Sequence, residues 1–234
     1  ENLARELGPL DSGELARAIA QGTGIDRLLH RLWEDRAQGG GGLSNLELYR
    51  LLRRGEWLWP EDHRAELEEA LAGGKGPPEG GPGTSRAAVV LSGVLPPSED
   101  LLVLMDRLGL KVGGDDLLAC GRRLPEMDDR EEAAGGDGLE LLAQAYFRMP
   151  PCPTKASPLA DRLKHLLYLA RRCSARGVIF NLVKFCEPEL FDLPGLQAGL
   201  KKAGLPSLVL ETEAAGSGGG QLATRLEAFA EIIN

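Results

Sequence analysis

The sequence predicts an α/β protein: a parallel four-stranded Rossmann or flavodoxin-like sheet flanked by helices and preceded by an all-helical segment. Three observations predict it. Apolar residues in positions 1–72 recur at helical spacing. The stretch 73–86, Gly-Gly-Lys-Gly-Pro-Pro-Glu-Gly-Gly-Pro-Gly-Thr-Ser-Arg, breaks that rhythm and reads as a linker. Through 87–234, short apolar runs then alternate with helical patterns, the signature of parallel strands buried on both faces and joined by crossover helices.

In the first segment, Asp11-Ser12 caps a run carrying Leu15, Ala16 and Ile19. Thr23 opens a second helix from Ile25 to Ala37, with Ile25, Leu28, Leu29, Leu32 and Trp33 on one face. Ser44 caps Leu46 to Leu52, and Pro60 begins a charged helix through Leu71. His30 and His63 lie in these helices without a companion ligand, and read as exposed or partly packed.

After the linker, Ala87 to Leu91 is a strand ending at Ser92-Gly93. Pro97-Ser98-Glu99 starts a helix through Leu108, and Leu110-Lys111-Val112 is a strand ending at Asp115-Asp116. The stretch 120–136 is polar and irregular, and Leu139 to Phe147 is helical. Ser157 at the N-cap and Pro158 at N1 open a helix to about Arg176. Gly177 to Val183 is the strongest strand. A helix from Pro194 to Ala203, a strand from Ser207 to Leu210, the loop Gly216 to Gly220 and a helix from Gln221 to Ile233 complete the chain.

The formal net charge of −8 over 234 residues argues against a nucleic-acid or anionic-membrane partner. No apolar run approaches the ~18 residues that span a bilayer, and the start does not read as a signal peptide. The expectation is a cytoplasmic protein. Four cysteines, Cys120, Cys152, Cys173 and Cys186, are too few and too irregular for a secreted disulfide framework, and no CxxC pair occurs. Reduced thiols of this kind serve as core residues or ligands.

In open parallel sheets the ligand crevice lies outside the carboxyl ends of the strands. The residues that follow each strand are therefore the candidates. They are Ser92-Gly93; Asp115, Asp116, Cys120 and Arg122; Lys184, Phe185, Cys186 and Glu187; and Glu211, Thr212 and Glu213 with the glycine loop. Cys152 precedes the helix that feeds the third strand, so three cysteines fall on one rim, while Cys173 reads as core. Thiolates on loops of an α/β fold suit an iron–sulfur cluster. The glycine loop, with Ser217, is able either to aim backbone N–H groups at an anion or to serve only as a flexible connection, and it matches neither a dinucleotide fingerprint nor a P-loop. Asp115-Asp116 and Glu211/Glu213 are carboxylate pairs able to do acid–base work, or to cap strand ends.

Several motifs occur in a fixed order. They are Ser92-Gly93-Val94 with Pro97-Ser98-Glu99, Gly114-Asp115-Asp116-Leu117 with Gly121-Arg122, and Arg148-Met149-Pro150-Pro151-Cys152-Pro153. Gly177-Val178-Ile179 with Lys184-Phe185-Cys186-Glu187-Pro188 and Leu210-Glu211-Thr212-Glu213 follow, then the run from Gly220 to Phe229. Together they resemble the catalytic subunits of 2-hydroxyacyl-CoA dehydratases and the related benzoyl-CoA reductases. The resemblance implies two α/β lobes with a [4Fe–4S] cluster between them, Cys186 as one cluster ligand, and residues 1–72 as the helices joining the lobes. It further implies a paralogous partner subunit, in a heterodimer or homodimer, an ATP-dependent iron–sulfur activator that delivers one electron, and an acyl-CoA substrate. Ser92, Glu211 and Ser217 are the candidate acyl-CoA contacts.

The resemblance also implies that the family's other cluster cysteines come from an amino-terminal α/β lobe, and the sequence reads as starting at the helices that follow such a lobe. The expectation is thus a carboxyl-terminal lobe contributing Cys186 to a shared cluster in a lyase. The alternatives are a reductase-type subunit, a shortened non-catalytic paralogue acting as an assembly partner, and a cluster held by Cys120, Cys152 and Cys186 within this lobe.

Overall fold

The computed structural model describes residues 8, 10–38, 42–73, 87–124, 138–212 and 219–233. Of the predicted linker only Gly73 falls within them. Ser217, Glu213 and the loop Gly216–Gly218 lie outside them.

Helices α1 (Ser12–Ala37), α2 (Asn45–Arg54) and α3 (Pro60–Ala72) come first. Asp11 accepts from the Glu14 amide and caps α1. Two helices are expected here, but α1 runs unbroken through Gly22 and Gly24. Each glycine costs helix propensity, yet neither is followed by a chain reversal, and the stripe from Ile25 to Trp33 packs on the core. A capping box between Ser44 and Glu47 sets the start of α2. Pro60 occupies the first turn of α3. His63 is buried rather than exposed, and its ring nitrogen meets the Leu51 carbonyl at 3.1 Å.

Strands β1 (Ala87–Gly93), β2 (Leu110–Leu117), β3 (Gly177–Val183) and β4 (Ser207–Thr212) are all parallel, in the order β2-β1-β3-β4. Between them run α4 (Glu99–Arg107), α5 (Gly138–Phe147), α6 (Leu159–Arg172) and α7 (Glu187–Lys202), and α8 (Gly219–Ile233) closes the chain. This is the predicted doubly wound sheet. One face carries Val89, Leu91, Ile179 and Leu210 against residues of α1, α2, α3, α4 and α8. The other carries Val90, Val178, Phe180 and Leu182 against α6 and α7. The helices of the first segment therefore share one apolar core with the sheet.

The strands are longer than their apolar runs. Asp115 and Asp116, expected after β2, lie within it, and Glu211 lies within β4. Backbone pairing continues past the last apolar residue, because a parallel ladder needs a neighbour and not a hydrophobic side chain. Ser157 also differs from expectation. Pro158 takes the N-cap of α6, and the Ser157 hydroxyl instead accepts from the Cys152 amide at 3.0 Å. That helix ends early, at Arg172, where Ser174 turns left-handed (φ 51°) and the Ala175 amide reaches back to Ala170. Helix α7 starts seven residues before the predicted Pro194, which sits inside it. Gly195 and Gly199 of α7 lie tight against Leu159 and Leu163 of α6, a close approach that a larger residue would block.

The outer edge of β2 is covered by side chains. Asn45 donates to the Leu110 carbonyl (2.8 Å) and accepts from the Val112 amide (2.9 Å), while Arg36 donates to the Val112 carbonyl (2.5 Å). Both residues are buried. Edge groups that could template another strand are satisfied internally.

Candidate functional site

The strand order reverses between β1 and β3: the chain leaves β1 toward β2 and leaves β3 toward β4. That is the switch point at which a doubly wound sheet opens a crevice at its carboxyl end. Gly93 closes β1 there at φ 152°, and a Cβ on it would collide with the Asn181 carbonyl oxygen of β3. The Asn181 amide in turn donates to the Leu95 carbonyl at 3.0 Å, tying the loop after β1 to β3.

Cys186 stands on the β3 side of this crevice. The chain leaves β3 at Val183, turns through Phe185 in the left-handed region (φ 67°), and enters α7 with Cys186 as its N-cap. The Cys186 amide donates to Val183 and its carbonyl accepts from Leu190, so the backbone is fixed on both sides. Its side chain is half-buried and makes no capping bond. Phe185, its neighbour in the chain, is 92% exposed, and Phe191 in the second turn of α7 is 81% exposed. The thiol thus stands at the N-terminus of a sixteen-residue helix.

Below the rim lies a buried ionic network. Arg122 grips Asp116 with a two-bonded fork, at 2.8 and 3.1 Å, and reaches Glu189 at 2.8 Å. Arg162 holds the other Glu189 oxygen at 2.8 Å and Asp192 at 2.8 Å. The Ser92 hydroxyl donates to Asp116 at 2.9 Å. Burial alone would lower the pKa of Arg122, but Asp116 and Glu189 drive it well above the ordinary guanidinium value. Fork-to-fork pairing of this kind is the strong form of a charge-assisted bond.

Asp115 serves a separate purpose. It faces α2, where its carboxylate accepts from the Tyr49 hydroxyl (3.0 Å) and from the Leu117 and Gly121 amides (3.0 and 2.7 Å). Burial raises its pKa to about 6 against the pull of those three donors. The same burial, with the Asp115 charge, raises Tyr49 well above its ordinary value. The two adjacent carboxylates, a candidate acid–base pair by sequence, are therefore held on opposite faces. Asp115 also lines a cavity of about 410 Å³ between α1 and α6, with His30, Glu34, His165 and Arg172.

The other sequence candidates are placed as follows. Ser92 is fully buried, and Glu211 is exposed on β4. Cys120 precedes a short helical turn and packs on the core, and burial followed by the Asp115 charge pushes its thiol far up. Cys152 is buried, its sulfur 2.9 Å from the Thr154 hydroxyl and 3.5 Å from Arg122. Cys173 is core, against Gly113. Among the described residues no three His, Cys, Asp or Glu side chains gather to hold a metal ion.

Sequence reasoning missed Tyr49, Arg162, Glu189 and Asp192. A signal was present for two of them. Arg162 lies on the buried stripe of Leu166 and Ala170, and Glu189 on that of Leu196 and Leu200. A charge on an apolar stripe requires a buried partner.

A family model described as 2-hydroxyglutaryl-CoA dehydratase, D-component, matches residues 1–233. Three relatives are similar. The (R)-phenyllactyl-CoA dehydratase beta subunit of Clostridium sporogenes is 28% identical over 62% of this chain and 37% of its own. The lactoyl-CoA dehydratase subunit beta of Anaerotignum propionicum is 27% identical over 76% of this chain and 46% of its own. The (R)-2-hydroxyglutaryl-CoA dehydratase subunit beta of Acidaminococcus fermentans is 28% identical over 62% and 38%. The chain thus matches less than half the length of each. With the match running from the first helix through the last, the chain belongs to the 2-hydroxyglutaryl-CoA dehydratase D-component family.

Proposed function

We propose that this chain is one lobe of a 2-hydroxyacyl-CoA dehydratase-like subunit, and that Cys186 gives one thiolate to a [4Fe–4S] cluster. The observation that carries the reading is the place of Cys186, half-buried at the N-cap of α7 beside the β1/β3 switch point. The donor set fits one ligand position and no more, since no metal-holding group of three forms among the described residues. The remaining ligands come from elsewhere in the assembled protein. A cluster held there supplies single electrons at a potential tuned by its surroundings.

The chain's own residues contribute three things in this reading. Cys186 holds its thiol at a fixed helix end. Phe185 and Phe191 offer apolar surface that excludes water once covered. Exposed Glu211, together with Ser217 outside the described residues, takes part of the acyl-CoA, while buried Ser92 steadies Asp116. Residues 1–72 are the helices that join this lobe to the rest of the subunit. Its partners are a paralogous subunit and an ATP-dependent iron–sulfur activator.

The three relatives named above are dehydratase beta subunits, which favours a lyase over a benzoyl-CoA reductase. The test is iron and sulfide analysis of protein purified anaerobically with its partner subunit, as wild type and as Cys186→Ala. The reading expects iron in the wild type and its loss in the variant. Equal iron in both, or none in either after reconstitution, would overturn it. Product analysis with 2-hydroxyacyl-CoA and benzoyl-CoA decides between lyase and reductase.

A further inference from the structure

Helix α7 begins at Cys186 without a side-chain cap, and its interior holds Pro194, Gly195 and Gly199. The first turn carries Pro188 and the acidic Glu187 and Glu189, which favour a helix start, but the thiol-bearing cap residue has no side-chain capping bond of its own. The residue three positions on, Glu189, is 2% exposed and has both carboxylate oxygens engaged by different elements. Arg122, from the turn after β2, takes one oxygen at 2.8 Å, and Arg162 of α6 takes the other at 2.8 Å. One turn further along, Asp192 accepts from the same Arg162 at 2.8 Å. Arg122 is itself anchored by Asp116 of β2, and Asp116 by Ser92 of β1. The first two turns of α7 are thereby bolted to β1, β2 and α6.

We propose that Glu189, held by Arg122 and Arg162, is a positioning residue that fixes the N-terminus of α7 and with it the Cys186 thiol. The inference rests on the reading of Cys186 as a cluster ligand for its purpose, but the mechanical claim concerns this chain alone. Cys186 and Glu189 lie within one helical turn, so a shift of the Glu189 carboxylate moves the N-cap as a unit. Buried charges cost desolvation, and removing one partner leaves the others uncompensated, so the network resists rearrangement. The arrangement it holds is the direction in which α7 leaves the switch-point crevice.

The test uses the full-length, metal-free protein and follows iodoacetamide alkylation of Cys186 by peptide mass spectrometry. Glu189→Gln is expected to raise the Cys186 rate at least fivefold as the first turn frays. Asn45→Ala, which loosens the far edge of β2, serves as a destabilised comparator and should change it less than twofold. If Glu189→Gln does not yield folded protein, Glu189→Asp, which keeps the charge but withdraws it by one methylene, is expected to give a smaller rise. Equal rates in the Glu189 and Asn45 variants, or no rise in either Glu189 variant, would refute the positioning role. In iron-loaded protein, Glu189→Gln should shift the reduction potential and the reduced-state paramagnetic spectrum, whereas Asn45→Ala should not. Loss of the cluster reading through Cys186→Ala would leave the alkylation result standing, so the two failures are distinguishable.

Discussion

Asp115 and Asp116 are consecutive in β2 and serve opposite faces of the sheet. Asp115 takes the Tyr49 hydroxyl on the α2 side, and Asp116 takes the Arg122 fork beneath the crevice. The register slips between Val89 and Val90 of β1, opposite Gly113, and from there Leu91 pairs with Asp115 and Ser92 with Asp116. A Cβ at Gly113 would meet the Cys173 Cβ at 2.7 Å, so glycine admits the irregularity.

Asp115 makes stability depend on pH. Its folded pKa, about 6, lies above the ordinary carboxylate value because of burial. The folded state therefore binds the proton more tightly than the unfolded chain. This contribution is fully present below about pH 4 and is lost as pH rises through 6. At roughly 1.4 kcal/mol per unit it amounts to about 3 kcal/mol. Denaturant titrations at pH 4 to 7 should show that slope in the wild type and a flatter profile in Asp115→Asn.

Tyr49→Phe removes the one hydroxyl donor to a buried carboxylate. We expect a loss of about 1–3 kcal/mol at neutral pH, read from denaturant midpoints.

Arg122→Met should be far more costly, about 3–5 kcal/mol, because Asp116 would lose its two-bonded partner and Glu189 one of its two, with both carboxylates left buried beside Arg162. Thermal melts of Arg122→Met against an exposed-pair control, Arg50→Met, separate the two regimes. The Arg50–Glu99 pair is solvent-facing and screened by water, and its removal should leave the melting temperature close to that of the wild type.

Phe185→Gly relieves a left-handed backbone at a side chain that packs on little. The left-handed cost is about 1–2 kcal/mol, against roughly 0.5–1 kcal/mol of added chain entropy, so stability should hold or rise by up to about 1 kcal/mol. A fall greater than that in urea titration would mean the ring is packed in solution.

Gly93→Ala should behave in the opposite sense. The left-handed φ and the collision with the Asn181 carbonyl combine, and we expect a loss of about 3 kcal/mol or more, seen as reduced soluble yield and a lowered melting temperature.

What the sequence determined by itself was local. The Ser44–Glu47 box, Ser98 ahead of α4, Pro60 in α3 and the apolar run Val178–Phe180 of β3 each act within a few residues, and each element appears where they place it. The order of these elements was enough for a parallel doubly wound sheet and for the edge at which Cys186 stands. Tertiary structure alone decided the rest. Glycines 22 and 24 did not end α1, because packing of its following stripe outweighs their helix propensity. Which way Asp115 and Asp116 point followed from the slip opposite Gly113. The meeting of Arg122 with Glu189, 67 residues apart, followed from β2 and α7 reaching the same crevice. Such pairings arise from strand order and register, which bring distant charges together only once the sheet exists.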